Sequence, residues 1–70
     1  MHAVPLDSSV IAGVRFVAET NILEVDFHSG RTYRYFMVPR AVFENLIAAE
    51  SAGRYFNEEI KGRFGWERVR

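Results

Sequence analysis

The sequence predicts an α+β fold, in which a three-stranded antiparallel β-meander is followed by two helices packed on one face of the sheet. Two observations support this prediction. Apolar and polar residues alternate in the first half of the chain between short turn signals, as in half-buried neighbouring strands. After Pro39 the apolar residues recur at the spacing of an amphipathic helix. A short extension after the second helix could add a C-terminal edge strand.

The three predicted strands cover residues 10–20, 22–28 and 32–38. Turns are expected at residues 19–21 and at Ser29-Gly30, where glycine adopts a positive φ at little cost. Alternation puts an apolar set on one side of each strand: Val14, Phe16 and Ala18; Leu23, Val25 and Phe27; Tyr33, Tyr35 and Met37. The second and third sets are expected to face inward.

The first predicted helix covers residues 40–50, and the second begins after Ser51, whose hydroxyl is a typical N-cap. Gly53 interrupts the helical register, and Gly62 is expected to end the second helix. The apolar side chains of the two helices are Val42, Phe43, Leu46 and Ile47, then Tyr55, Phe56 and Ile60. Phe43, Leu46 and Ile47 are expected to pack against the second strand. Phe64 and Trp66 are expected to pack beneath the helix pair.

The 70 residues predict a single domain over residues 10–70, preceded by an irregular leader over residues 1–9. A hydrophobic fraction of 49% with 26% charged residues excludes a disordered chain. The chain has no membrane-length apolar run and no signal pattern, so we expect a soluble, cytoplasmic protein. Because it has no cysteine, the six Phe, three Tyr and one Trp must stabilise the core without disulfides.

Charge is unevenly distributed along the chain. Residues 1–30 hold one cation and four anions, whereas residues 31–70 hold eight cations and five anions. Eight of the nine cations are arginine, which makes forked contacts to phosphate. A net charge of zero excludes long-range attraction for nucleic acid, so the pattern favours a localised anion-binding face.

Short motifs stand along the chain in a fixed order: Ser8-Ser9 with Ile11, Leu23-Glu24-Val25-Asp26-Phe27, Gly30, Tyr33-Arg34-Tyr35, Val38-Pro39, Val42, Leu46, residues 49–57, Ile60 and Arg63-Phe64. Over about residues 8–69 the chain therefore resembles the KTSC domain. This short module is named for its occurrence at the C-terminus of some lysyl-tRNA synthetases, and it also occurs alone in small bacterial and phage proteins. Family members often carry Gly-Tyr-Asp where this chain has Arg15-Phe16-Val17. The resemblance implies RNA binding through its association with a synthetase.

We therefore expect a non-catalytic RNA- or nucleic-acid-binding accessory domain. Arginines would neutralise phosphates, and one or two aromatic side chains would stack on bases. The candidate binding residues are Arg31, Tyr33, Arg34, Tyr35, Arg40, Arg54, Asn57, Lys61, Arg63 and Trp66. If the third strand and the second helix are neighbours, the cations among them form one basic stripe.

Each of these features has a structural alternative. Tyr33 and Tyr35 could be core residues, and Arg34 could pair with Glu24 or Asp26 across the strands. The block around Gly53 could be a capped helix start in place of a phosphate site. A protein–protein interaction module or a small homodimer is the alternative function, because a three-stranded sheet leaves an edge that invites a partner.

The sequence gives little support to catalysis or metal binding. Asp26 and His28 share a strand face, but an exposed face offers no pocket that excludes water. No second histidine lies at ligand spacing from His2. The segment 61–66 fails to match an RNA-recognition motif, since Arg63 is an insertion and a helix precedes it. We expect no enzymatic activity, cofactor, membrane partner or small-molecule substrate.

Overall fold

The alternating and helical patterns form the elements that they predict. In a computed structural model, which describes residues 4–70, the elements in chain order are β1 (Val4–Pro5), β2 (Ile11–Val17), β3 (Ile22–Phe27), β4 (Thr32–Tyr35), α1 (Arg40–Ala48), α2 (Ala52–Glu59) and β5 (Trp66–Arg68). The strands lie in the order β1-β2-β3-β4-β5, and each neighbouring pair is antiparallel. The α+β fold is confirmed: the predicted meander is β2–β4, and the C-terminal extension forms β5.

Part of the leader predicted over residues 1–9 is a strand and not irregular chain. In β1, Val4 pairs with Val14 and Pro5 pairs with Gly13. Glycine permits this approach, because a Cβ on Gly13 would lie 3.0 Å from the Val4 carbonyl oxygen. A strand of two residues has no readable alternation, so periodicity could not reveal it.

One face of the sheet packs against both helices. Phe16 of β2 stacks on Phe43 of α1, with 5.1 Å between ring centroids. Phe56 of α2 meets Phe27 and Tyr35 edge-on, at 5.4 Å from each. The buried cluster consists of Ile11, Val14, Phe16, Leu23, Val25, Tyr35, Val38, Leu46, Ala52, Phe56 and Ile60. The inward set of β3 and the centre of the α1 stripe thus lie in one core, as predicted.

Three residues assigned to apolar faces lie outside the core. Ala18 is exposed, because β2 ends at Val17. Met37 is 82% exposed, since its φ of 57° turns the chain after β4 and brings Val38 into the core in its place. Ile47 is 38% exposed because helix neighbours point about 100° apart, which leaves Ile47 at the border of a stripe centred on Leu46.

The helix boundaries follow from local chemistry. The Ser51 hydroxyl accepts a hydrogen bond from the Arg54 backbone N–H at 3.2 Å, which confirms the predicted N-cap of α2. Gly53 lies inside α2 and does not interrupt it, and a Cβ there would lie 3.7 Å from Val10. The turn that follows α2 contains Gly62 at a φ of 79°. Neither of the two helices described is long and apolar enough to cross a membrane.

Candidate functional site

A pocket of about 310 Å³ opens between the β3–β4 hairpin and α2. We call it the aromatic pocket, and it is lined by Val10, Phe27, Ser29, Arg31, Tyr33, Tyr35, Phe56, Asn57 and Lys61. Its volume lies at the lower end of the ~300–1,000 Å³ that is usual for small-ligand sites. Five of the ten residues predicted to bind a ligand line it, and they come from the hairpin, from α2 and from the turn after α2.

The aromatic wall of this pocket follows from the strand register. Tyr33 lies opposite Val25 and Tyr35 lies opposite Leu23, so both phenol rings stand on the face of the sheet that meets the helices. Phe27 meets Tyr33 edge-on at 5.7 Å. Together with the contacts of Phe56, the four rings form a continuous wall that the core supports from behind.

The two tyrosines of this wall have different environments. Tyr35 is 3% exposed and belongs to the core. The sequence leaves open whether it is a core residue or a surface for stacking bases. Burial, together with the neighbouring Tyr33, raises the pKa of Tyr35 to about 12, so its hydroxyl stays protonated at neutral pH. Tyr33 is half-buried and stands at the rim of the pocket.

The polar rim of the pocket is cationic. Arg31 projects from the β3–β4 turn and Lys61 from the turn after α2, and both are exposed. Among residues 4–70 neither side chain makes an ion pair, and no carboxylate lines the pocket. Asn57 adds an exposed amide that can both donate and accept hydrogen bonds. Aromatic rings beside two uncompensated cations suit an anionic ligand that carries an aromatic group.

Trp66 extends the aromatic surface beyond the pocket. Its indole lies parallel to the Tyr33 ring, with 5.3 Å between centroids and 8° between planes. We expected Trp66 to pack beneath the helices, but it is 55% exposed at the edge of the sheet. The reason is β5, which places Trp66 opposite Tyr35 and thereby on the aromatic face. Phe64 is half-buried against the core.

The expected basic stripe does not form, because the remaining candidate arginines lie elsewhere. Arg40 pairs with Glu44 at 3.1 Å on α1, and Arg54 pairs with Glu58 at 3.4 Å on α2. Arg63 donates from its Nε to the Glu58 carbonyl oxygen at 2.9 Å. None of these three arginines lines the aromatic pocket.

Arg34 belongs to a ladder of charges on the opposite face of the sheet. Its guanidinium pairs with Glu24 at 3.1 Å and with Glu67 at 3.4 Å, and Glu24 also pairs with Arg15 at 2.8 Å. Hydrogen bonding to Glu24 raises the pKa of Arg34. Of the two carboxylates that the sequence offered as partners of Arg34, Glu24 and Asp26, the structure pairs it with Glu24. The four charges alternate in sign across β2, β3, β4 and β5, and Asp26, which shares this face, adds one further negative charge that disfavours phosphate.

A second groove, of about 550 Å³, lies at the N-terminus of α2. It contains Arg54 and Ser51, which the sequence suggested as a phosphate site. The groove also holds three carboxylates, those of Asp7, Glu50 and Glu58. With a single arginine against three carboxylates, its charge disfavours phosphate.

Sequence reasoning missed part of the pocket, because Phe27 and Phe56 were assigned to the core alone. They do pack in the core, but their rings also face the concavity. The position of Phe27 gives a signal for this role. It is the last residue of β3 and precedes the Ser29-Gly30 turn, so its ring stands where the sheet ends.

The chain is similar to known proteins both in sequence and in structure. The family model of the KTSC domain matches residues 7–64. An uncharacterised protein from Stutzerimonas stutzeri is 44% identical over 61 residues, which are 87% of this chain and 86% of that protein. A protein from Tsukamurella paurometabola is 43% identical over 60 residues, which are 86% of this chain and 90% of that protein. These matches confirm the resemblance drawn from the sequence motifs.

Two further matches concern a larger enzyme and a solved structure. A lysine–tRNA ligase from Nostoc punctiforme is 41% identical over 63 residues, 90% of this chain, but the chain spans only 11% of the ligase. The crystal structure of a KTSC domain protein from Yersinia pestis is 32% identical and superposes with a TM-score of 0.94. That match covers 99% of this chain and 97% of the other.

Proposed function

Because the chain belongs to the KTSC domain family, whose members include small separate proteins and a segment of lysine–tRNA ligases, we propose that it is a non-catalytic RNA-binding domain. The aromatic pocket is its binding site. An RNA ligand is consistent with the occurrence of this domain in a tRNA ligase. That match does not identify which residues of this chain would bind the RNA.

The observation that carries the proposal is the convergence of unlike groups in one pocket. Arg31 and Lys61 supply positive charge for a phosphate, and the rings of Tyr33 and Phe27 supply surfaces for a base. A base stacked on an aromatic ring contributes about 1–3 kcal/mol. Asn57 can hydrogen-bond the edge of that base. The second groove lacks this combination, since its carboxylates repel phosphate.

The proposal predicts weak binding with a shallow dependence on salt. Two cations allow about two phosphate contacts, for which the logarithm of the binding constant falls with a slope of about −1.4 against the logarithm of salt concentration. Raising salt from about 50 mM to about 200 mM should then weaken binding about sevenfold. A protein that coated RNA with all nine cations would show a far steeper slope.

The non-catalytic part of the proposal rests on how Asp26 and His28 are engaged. Asp26 accepts a hydrogen bond from the Thr32 hydroxyl at 2.7 Å, and the His28 Nε2 atom lies 2.8 Å from the Ser8 carbonyl oxygen. Each side chain thus has its own partner and neither activates the other. His2 lies outside the described residues.

We place the domain in the cytoplasm, because it lacks the cysteines that hold small secreted domains together.

Titration of the protein with a labelled, unstructured oligo(U) RNA at the two salt concentrations tests the proposal. Saturable binding with the shallow slope given above would support it. Absence of binding at low salt would refute it, and a protein partner would then become the function to pursue. A slope several times steeper would place the RNA on the whole cationic surface and not in the aromatic pocket.

A further inference from the structure

The exposed face of Trp66 suggests more than one contact with a strand of RNA. One face of the indole is covered by Tyr33, at 5.3 Å and nearly parallel. The residue is nonetheless 55% exposed, so the other face of the ring is open to solvent. An open indole face at the mouth of an aromatic pocket is a second surface on which a base can stack.

Charge on β5 agrees with this role. Arg68 lies opposite Tyr33 in the strand register and therefore shares the face of Trp66. Its exposed guanidinium donates from Nε to the Arg70 carbonyl, which leaves the Nη groups for another acceptor. Glu67, between the two, points to the opposite face and pairs with Arg34. The aromatic side of β5 thus carries a cationic side chain and no acidic side chain.

We propose, on the basis of the function proposed above, that the site binds an unpaired, unstacked RNA segment through two bases. One base enters the aromatic pocket beside Tyr33, and another stacks on the outer face of Trp66. The stacked rings of Tyr33 and Trp66 separate these two bases, so they cannot stack on each other. Arg31 and Lys61 hold phosphate near the first base, and Arg68 holds phosphate near the second, so this third cation steepens the expected salt slope for oligo(U) from about −1.4 to about −2.1.

This geometry selects against two simpler ligands. A duplex cannot bind in this way, because its bases are stacked and paired and their faces are inaccessible. A single nucleotide fills the pocket alone and leaves the Trp66 face unused. Affinity should therefore rise from a mononucleotide to a short oligonucleotide, and it should fall when the oligonucleotide is paired.

The chain contains a single tryptophan, so the fluorescence of Trp66 reports directly on the proposed second contact. The wild-type protein is titrated with uridine monophosphate, with an oligo(U) of about four nucleotides and with a stable RNA duplex of about twelve base pairs that contains the same uridines in paired form. We expect the unpaired oligonucleotide to bind most tightly and to quench the fluorescence. The mononucleotide should bind more weakly with little quenching, and the duplex should bind weakest.

Variants separate this inference from the proposed function, with binding followed by a label on the RNA. Trp66→Ala should weaken oligo(U) binding at least about fivefold, the lower end for one stacked base, and should weaken mononucleotide binding less. Trp66→Phe keeps an aromatic ring and should therefore lose less of the oligo(U) affinity than Trp66→Ala does. Met37→Ala removes another exposed apolar side chain, which does not line the pocket, and serves as the control.

The outcomes are distinct. If Trp66→Ala binds oligo(U) as well as the wild type does while Arg31→Gln binds it more weakly, the two-base site is wrong and the pocket proposal stands. Equal affinity of the mononucleotide and the oligonucleotide for the wild type would also overturn the two-base site. If the wild type binds no oligo(U), both proposals fail together.

Discussion

The ring of Phe56 on α2 meets the ring of Tyr35 on β4 edge-on, with 5.4 Å between their centroids. Both side chains belong to the buried core, and both line the aromatic pocket. The contact that fixes the helix to the sheet therefore also shapes the wall of the pocket. A wall made of core residues is already ordered before a ligand arrives, so binding does not have to form it.

The core assignment predicts losses of different size for two neighbours on α1. Leu46→Ala should destabilise the protein by about 2–5 kcal/mol, because the fully buried leucine leaves a cavity. Ile47→Ala is the matched control and should cost about 1 kcal/mol or less, since that side chain is partly exposed. Urea unfolding of both variants measures the difference. Equal losses would mean that the buried face of α1 is wrongly assigned.

The N-cap of α2 predicts a smaller and more local effect. Ser51→Ala should cost about 1 kcal/mol, because the Arg54 backbone N–H loses its acceptor. Ser51→Thr keeps the hydroxyl and should cost less. Ala52→Pro should be neutral or stabilising, since Ala52 occupies the first helical position and Ser51 is already extended. Thermal unfolding checks all three, and a large loss in Ala52→Pro would contradict the assigned start of α2.

The charge ladder predicts that Glu24 stabilises the sheet more than an ordinary surface carboxylate does. Its two oxygens accept hydrogen bonds from Arg15 and Arg34, so Glu24→Gln leaves two neighbouring guanidinium groups without their shared anion. We expect a loss of about 1–3 kcal/mol. Glu44→Gln breaks one exposed pair on α1 and should cost about 0.3–0.5 kcal/mol. Comparable urea midpoints for the two variants would show that the ladder adds no more stability than an ordinary surface pair.

Tyr35 predicts a loss of stability at alkaline pH. Its pKa is raised to about 12 in the folded protein and lies near 10 in an unfolded chain. Burial favours the neutral phenol, so its contribution is fully present below about pH 10 and is lost as pH rises from there through about 12. Urea unfolding of the wild type and of Tyr35→Phe between about pH 9 and about pH 11 compares the two. An identical decline in both would exclude Tyr35 as the source.

How far the sequence predicts this molecule depends on how local each feature is. The alternation of Leu23 and Val25 gives β3, and the Ser51 hydroxyl gives the start of α2, because both signals lie within a few residues. Met37 breaks the alternation after β4 because its backbone adopts a positive φ. Methionine has no preference for positive φ, so the sequence gives no sign of this turn. The β1 strand was hidden because its pairing partner, and not its own pattern, creates it.

The pocket was predictable only in part, for the same reason. Tyr33 and Tyr35 stand two apart on a strand, so a shared face follows from the sequence alone. Arg31 and Lys61 line one pocket only because α2 packs against the hairpin, and that packing depends on side chains such as Phe56 far along the chain. Arg40, Arg54 and Arg63 look equivalent to Arg31 in the sequence. Only the structure shows that each of these three already has a partner within the protein.

The most direct test of the RNA-binding pocket compares two double variants that each remove two positive charges. Arg31→Gln with Lys61→Gln removes the cations of the aromatic pocket, and Arg54→Gln with Arg63→Gln removes two that do not line it. Oligo(U) affinity is measured for both at low salt. The Arg31 and Lys61 double variant should bind oligo(U) at least about 10-fold more weakly, with a flatter dependence on salt. The Arg54 and Arg63 double variant should keep an affinity close to that of the wild type. Equal losses in the two double variants, or a greater loss in the Arg54 and Arg63 pair, would contradict the assignment of RNA binding to the aromatic pocket.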